Sequence, residues 1–143
     1  MLRRLIVRMV LLVVLGLAFA TASALPAGAQ PTATAELGES ATLAAKGVLV
    51  EVPVIYSCSP DAVFHSSFVQ LIQRVGNNTA RGFGDTTDLT CDGSQHTVLL
   101  TVMTDDIRFR KGIAFAQGEV FACDEFGLCV DARFSGTIEI THN

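Results

Sequence analysis

Two long runs of alternating apolar and polar residues constrain the fold of this chain more than any other feature. In residues 48–58 valines and Tyr56 occupy every second position, and in residues 130–141 apolar and polar side chains alternate again. Because successive side chains of a β-strand point to opposite faces, this period indicates strands with one buried and one solvated face. Pro53 removes a backbone donor from the first run, which predicts an edge or a bulge there.

The rest of the chain after residue 29 predicts more short strands. They are expected at residues 89–91, 97–103, 107–111 and 113–123, with a bulge at Gly118 and a bend at Gly136, while residues 30–37 form either a frayed entry or a first edge strand. Residues 59–75 could instead begin a helix at Ser59, but few of them are strong helix formers, so we predict a strand over residues 67–75. Seven or eight short strands predict an all-β, two-sheet antiparallel sandwich.

Residues 1–29 have the pattern of an export signal. A basic start is followed by an apolar run of 12 residues (9–20) and by a small-residue segment with two A-x-A sites. We predict cleavage after Ala29, because Pro26 breaks the helix just before it, with Ala24 as the alternative site. The apolar run is shorter than the roughly 20 residues that span a bilayer, so an uncleaved anchor is disfavoured. We therefore expect a secreted domain formed by residues 30–143.

The charge of that domain is strongly acidic. Residues 1–29 contain three of the ten basic residues and none of the fourteen acids, which leaves seven bases against fourteen acids and a net charge of −7. Such a domain repels phosphate backbones and anionic membranes. We expect no nucleic-acid partner and no membrane association after cleavage.

All four cysteines lie in the predicted domain, at Cys58, Cys91, Cys123 and Cys129. Three pairings are possible. The short spacing from Cys123 to Cys129 favours a local bridge with Gly127 at the turn, which leaves Cys58 to pair with Cys91. A four-cysteine zinc site is the alternative, but the paired C-x2–4-C spacing typical of such sites is absent from the sequence. We predict two structural disulfides in an oxidising compartment, no metal and no cofactor.

Catalytic motifs are weak. The sequence has no G-x-S-x-G, H-E-x-x-H or phosphate-loop motif. Residues 92–96 place Asp92, Ser94 and His96 within five positions, which is too close for a triad assembled from separate elements, so a polar turn is favoured. Asp85, Asp88 and Asp92, or the pair at 105–106, could hold calcium, but solvated turns are favoured. We predict that the protein is not an enzyme.

Two surface segments are candidate binding sites. The disulfide loop would present Phe126 and Leu128 rigidly, as a binding prong requires; the favoured alternative is that Phe126 folds back onto the end of the sandwich. Arg108 and Arg110 share one face of the strand predicted at residues 107–111. They could bind an anionic partner such as a wall polymer; the favoured alternative is that these cations protect an edge strand from aggregation.

Short motifs add a resemblance to known proteins. Tyr56-Ser57-Cys58-Ser59-Pro60 and Leu89-Thr90-Cys91-Asp92-Gly93, followed by Gln95-His96, resemble small secreted actinobacterial proteins of unassigned function. The resemblance implies an immunoglobulin-like β-sandwich, a bacterial source and a Cys58–Cys91 bridge. Residues 118–123 with Cys129 are also similar to the late loop of enediyne-binding apoproteins such as neocarzinostatin, although this loop is one residue longer.

The sequence thus predicts a secreted, monomeric, non-catalytic module with a binding or structural role outside the cell or at the envelope. Its partner would be an extracellular or envelope protein or a small ligand. Two alternatives stay open. One is a small-ligand carrier with an apolar cleft lined by Phe side chains. The other is a protease inhibitor that uses the Cys123–Cys129 loop as an extended, exposed reactive segment.

Overall fold

The computed structural model describes residues 30–142, and all of its regular elements are strands except for one short 3₁₀ turn. The strands are β1 (Ala33–Leu37), β2 (Ser40–Ala44), β3 (Leu49–Cys58), β4 (Phe64–Val75), β5 (Asn78–Thr86), β6 (His96–Thr104), β7 (Gly112–Cys123) and β8 (Cys129–Thr141), with the 3₁₀ turn at Ala45–Gly47. The predicted signal and both cleavage sites lie outside the described residues. Within residues 30–142, no helix is long and apolar enough to cross a membrane.

The strands form one sheet that closes on itself. Its order is β2-β3-β6-β5-β4-β7-β8, with β8 returning to β2 and β1 lying along β3. The all-β fold is confirmed, but the sheet does not separate into the two sheets that were predicted: it is a closed seven-stranded barrel. Two short seams close it, between residues 40–42 and 139–141, and between residues 82–83 and 103–104. Periodicity within a strand carries no signal for pairings this short and this distant in sequence.

Glycine makes the second seam possible. At both Gly82 and Gly84 of β5, a Cβ atom would collide with a backbone carbonyl oxygen of β6. Only glycine therefore lets β5 lie so close to β6. Because of the same glycines no strand was predicted over residues 78–86, and one was predicted at residues 89–91 instead. That prediction is wrong, since residues 87–95 form a loop.

β1 and β2 pair one after the other with the same side of β3, and Pro53 lies at the break between these two pairings. β1 pairs with β3 from Ala33↔Cys58 onward, whereas the register of β2 begins at Thr42↔Glu51, shifted by two residues. At the break the Gly38 N–H donates to the Pro53 carbonyl oxygen (2.9 Å). Since the N and O of one strand residue point to the same side, the missing Pro53 donor faces the break, and the predicted irregularity is confirmed.

Inward-facing side chains of alternating positions fill the barrel. Those under 2% exposed are mainly aliphatic: Val50, Val52, Val54, Val69, Leu71, Leu100, Val102, Val120, Ile138 and Ile140. The predicted alternation in β3 and β8 and the strand, rather than helix, at residues 67–75 are confirmed. The bulge expected at Gly118 is wrong, because β7 pairs with both neighbours in unbroken register. Glycine is needed there because a Cβ would collide with the Phe68 carbonyl oxygen and the Phe134 ring.

Both predicted disulfides are present, and they lie at the same end of the barrel. Cys58–Cys91 joins the end of β3 to the loop of residues 87–95, and Cys123–Cys129 joins the end of β7 to the start of β8. We call this end, with loops 59–63, 87–95 and 124–128, the disulfide end. The basic end is the opposite one, formed by the 3₁₀ turn, the loop of residues 105–111 and His142.

Candidate functional site

The loop between Cys123 and Cys129 is a compact turn organised by one carboxylate. The Asp124 Oδ1 atom accepts hydrogen bonds from the backbone N–H groups of Phe126 (2.9 Å) and Leu128 (2.8 Å). Two backbone hydrogen bonds, from Gly127 N–H to Asp124 O (3.2 Å) and from Asp124 N–H to Leu128 O (2.9 Å), complete the turn. The disulfide and these four hydrogen bonds fix the direction of the tip.

The tip of this loop points away from the barrel. Phe126 is 82% exposed and Leu128 is 50% exposed. The alternative in which Phe126 folds back is therefore wrong. The physical reason is that Tyr56, Ala62 and Leu89 are buried at this end, so the core there is closed without Phe126. We call Phe126 and Leu128 together the apolar prong.

A further exposed apolar side chain, that of Val63, lies beside the apolar prong. Val63, which precedes β4, is 66% exposed, and its N–H donates to the Cys123 carbonyl oxygen (2.9 Å), which ties the two segments together. Between them lies a cleft of about 480 Å³, to which Asp61 and Glu125 add carboxylates. Val63 was not predicted as part of this site, although the apolar pair Ala62-Val63 directly after Pro60-Asp61 is a signal in the sequence. The disulfide end thus combines fixed apolar side chains with an acidic border.

Asp92, Ser94 and His96 lie near the Cys58–Cys91 bridge and form the polar turn that was predicted. Asp92 Oδ1 accepts hydrogen bonds from His96 Nε2 (2.8 Å) and from the Ser94 N–H (2.8 Å). The His96 hydrogen bond, and then that of Ser94, lower the pKa of Asp92. The carboxylate sits between serine and histidine, whereas a catalytic triad places histidine between serine and aspartate. This geometry organises a turn and does not activate the hydroxyl of Ser94.

Arg108 and Arg110 lie at the basic end and not on an edge strand, so the strand predicted at residues 107–111 is wrong. The physical reason is Phe109, which is 1% exposed and inserts into the barrel end, so that the chain crosses this end as a loop. Both arginines stay exposed on either side of it. A cleft at the basic end is lined by both arginines and also by Lys46 and Lys111, which were not predicted as candidate binding residues.

The two candidate binding segments are therefore not brought together. The segment with the two arginines directly precedes β7 and the disulfide loop directly follows it. The 12 residues of β7 separate them by roughly 36 Å at about 3.3 Å per residue. For residues 30–142, no three His, Cys, Asp or Glu side chains are grouped so as to hold a metal ion.

Comparison with known proteins adds no assignment to this geometry. No protein-family model, curated protein or solved structure matches the chain. The resemblances to secreted actinobacterial proteins and to enediyne-binding apoproteins stay predictions.

Proposed function

We propose that this protein is a secreted, non-catalytic binding module whose apolar prong inserts into a partner protein. The observation that carries the proposal is the 82% exposure of Phe126 on a loop closed by a disulfide and fixed by Asp124. Interfaces draw most of their free energy from a few aromatic anchors. A side chain that is already held in place loses less conformational entropy when it binds.

The border of the prong defines the chemistry of the partner. Asp61 and Glu125 are exposed carboxylates beside Phe126 and Val63. A complementary surface would offer an apolar pocket bordered by Lys or Arg side chains, because complementary charges increase the association rate and exclude wrong partners. The two disulfides suit a protein that acts outside the cell, where the partner would then also be located.

The two alternatives receive less support. A reactive protease-inhibitor segment was expected to be extended, whereas the loop is a tight turn closed by the Gly127 N–H to Asp124 O hydrogen bond. A carrier was expected to have an apolar cleft lined by Phe side chains. The axis of the barrel is instead filled by buried aliphatic side chains, and the cleft that Phe68 and Phe134 line also carries the charged side chains of Glu119 and Arg133.

A differential capture experiment tests the proposal. The immobilised secreted protein would be exposed to the host's secreted and envelope proteins, in parallel with Phe126→Ala and with Leu99→Ala. Leu99 is a matched control because it is an apolar side chain, 60% exposed, on the outer face of β6. We expect a partner that binds the unchanged protein and Leu99→Ala but binds Phe126→Ala about 30-fold more weakly, as for an anchor worth about 2 kcal/mol. Equal binding to Phe126→Ala would refute the role of the prong.

A further inference from the structure

The basic end concentrates the positive charge of an acidic protein. One cleft of about 470 Å³ at this end is lined by four cationic side chains, those of Lys46, Arg108, Arg110 and Lys111. Leu43, Phe109 and His142 complete its lining. Residues 30–143 contain only seven Lys and Arg side chains against fourteen acids. More than half of the cations of the predicted domain therefore surround a single concave site, which we call the basic cleft.

Buried contacts hold the loop of the basic cleft in place. The Gln73 side chain, which is 4% exposed, donates to the Arg110 carbonyl oxygen (2.7 Å) and accepts from the Arg110 N–H (2.8 Å). The Phe109 N–H donates to the Gly47 carbonyl oxygen (2.9 Å), which joins the loop to the 3₁₀ turn. Because these contacts use the backbone of the loop and the buried Phe109 ring, the guanidinium groups of Arg108 and Arg110 are left available on a fixed support.

Asp105 and Asp106 lie in the same loop, but among residues 30–142 the four cations of the basic cleft make no ion pair. The ion pairs in this part of the chain join His96 to Asp92, and Arg133 to Asp131 and Glu119. Grouping like charges without ion pairs is unfavourable for the protein alone. In a cleft with low-dielectric walls, the same grouping focuses a positive potential that an anion would experience.

The backbone at the border of the basic cleft is strained. Ala45 and Lys46 are consecutive non-glycine residues with left-handed φ angles of 45° and 56°. The Cβ atom makes this conformation unfavourable for both residues. Such residues concentrate at functional sites, where the surrounding structure enforces them. Here the strain places the Lys46 side chain at the cleft that Arg108 and Arg110 border.

We propose that the basic cleft is a second binding site and that its ligand is a linear polyanion that repeats phosphate groups. The planar guanidinium groups of Arg108 and Arg110 can each donate two parallel hydrogen bonds to a phosphate. The ammonium groups of Lys46 and Lys111 add point charges on the same cleft. Four separate cations are best matched by several linked anionic groups. The site lies at the opposite end of the barrel from the apolar prong, so the module would bind a polymer and a protein at the same time.

Calorimetric titration of the secreted protein with inorganic long-chain polyphosphate tests this proposal. We expect saturable binding at about 0.1 M ionic strength that weakens as salt is added, since association releases counterions. Arg108→Gln combined with Arg110→Gln should weaken binding by about tenfold or more. The matched control is Arg133→Gln, an exposed arginine outside the cleft, which should change the affinity less than about twofold.

Each other outcome decides against the proposal. Failure to observe saturable binding, or an equal loss in Arg133→Gln, would show that the cations serve only general solubility. Equal affinity for polyglutamate of matched length would overturn the choice of phosphate over carboxylate. Should the double arginine variant unfold, Lys46→Gln combined with Lys111→Gln makes the same test without changing the loop that Gln73 holds. Because Phe126→Ala leaves the basic cleft intact, its polyphosphate affinity should be unchanged whether or not the prong binds a protein.

Discussion

Phe109 and Phe126 allow one substitution to be compared at two extremes of burial. Phe109 is 1% exposed and closes the basic end of the barrel, whereas Phe126 is 82% exposed at the disulfide end. Phe109→Ala removes a buried aromatic ring and leaves a cavity, which costs about 3–5 kcal/mol. That is a large fraction of the roughly 5–15 kcal/mol that stabilises a single domain. Phe126→Ala removes no buried contact of this kind and should change the free energy of unfolding by less than about 0.5 kcal/mol.

Urea unfolding followed by circular dichroism measures both effects. With a denaturant slope of about 2 kcal/mol per M, a loss of about 4 kcal/mol lowers the midpoint by about 2 M. Phe126→Ala is the control for the chemistry of the substitution, because it deletes the same ring. A midpoint shift below about 0.5 M for Phe109→Ala would refute the view that Phe109 closes the barrel. An equal shift for Phe126→Ala would refute its exposure and, with it, the apolar prong.

Three further predictions concern the backbone, the disulfides and pH. Gly118→Ala should lower the free energy of unfolding by about 2 kcal/mol or more, because the new methyl group meets the Phe68 carbonyl oxygen; thermal unfolding measures this loss, and an unchanged melting temperature would contradict it. Replacing both cysteines with alanine should cost about 3–4 kcal/mol for the bridge that spans 33 residues and about 2 kcal/mol for the bridge that spans six, so the reverse order in urea unfolding would count against the loop-entropy account. Because the folded state lowers the pKa of Asp92, its stabilising contribution is present above the unfolded pKa of about 3.9 and is lost as the pH falls through the folded value. The stability difference from Asp92→Asn should therefore shrink as the pH falls below the unfolded pKa, and a difference that stays constant would argue against the hydrogen bond from His96.

The strands that could be predicted are those in which apolar and polar side chains alternate. β3 and β8 alternate cleanly, because each has one face in the core and one in water. β5 could not be recognised in this way, since its glycines serve the close approach to β6 and carry no side chains to form a pattern. Residues 107–111 show the opposite error. Their alternation is real, but it serves to insert Phe109 into the barrel end, with Ile107 packed partly against the core, and not to extend a strand.

The disulfide-closed loop of the candidate site could be predicted from the sequence, but the exposure of its Phe126 side chain could not. The spacing of Cys123 and Cys129 was enough to predict a rigid loop that carries Phe126. Whether that ring lies on the barrel or in solvent depends on how full the core already is, which is a property of distant residues. Of the eight phenylalanines in residues 30–143, only Phe109 and Phe134 are buried, because aliphatic side chains fill the barrel axis.

The net charge of −7 for residues 30–143 argues against anionic ligands only over distances at which the charges act together. At about 0.1 M ionic strength the screening length is about 10 Å, which is much shorter than the roughly 36 Å along β7 between the two ends. An anion at the basic cleft then experiences mainly the four cations Lys46, Arg108, Arg110 and Lys111 and the two carboxylates of the same loop, Asp105 and Asp106, which leaves a local excess of positive charge. At about 0.01 M the screening length grows to about 30 Å, and repulsion from the acids of the disulfide end reaches the cleft. If the basic cleft binds polyphosphate, the logarithm of its association constant should therefore rise less steeply with falling salt below about 0.05 M than above it. A single straight line over the whole range would mean that the acidic end does not oppose binding at the basic end.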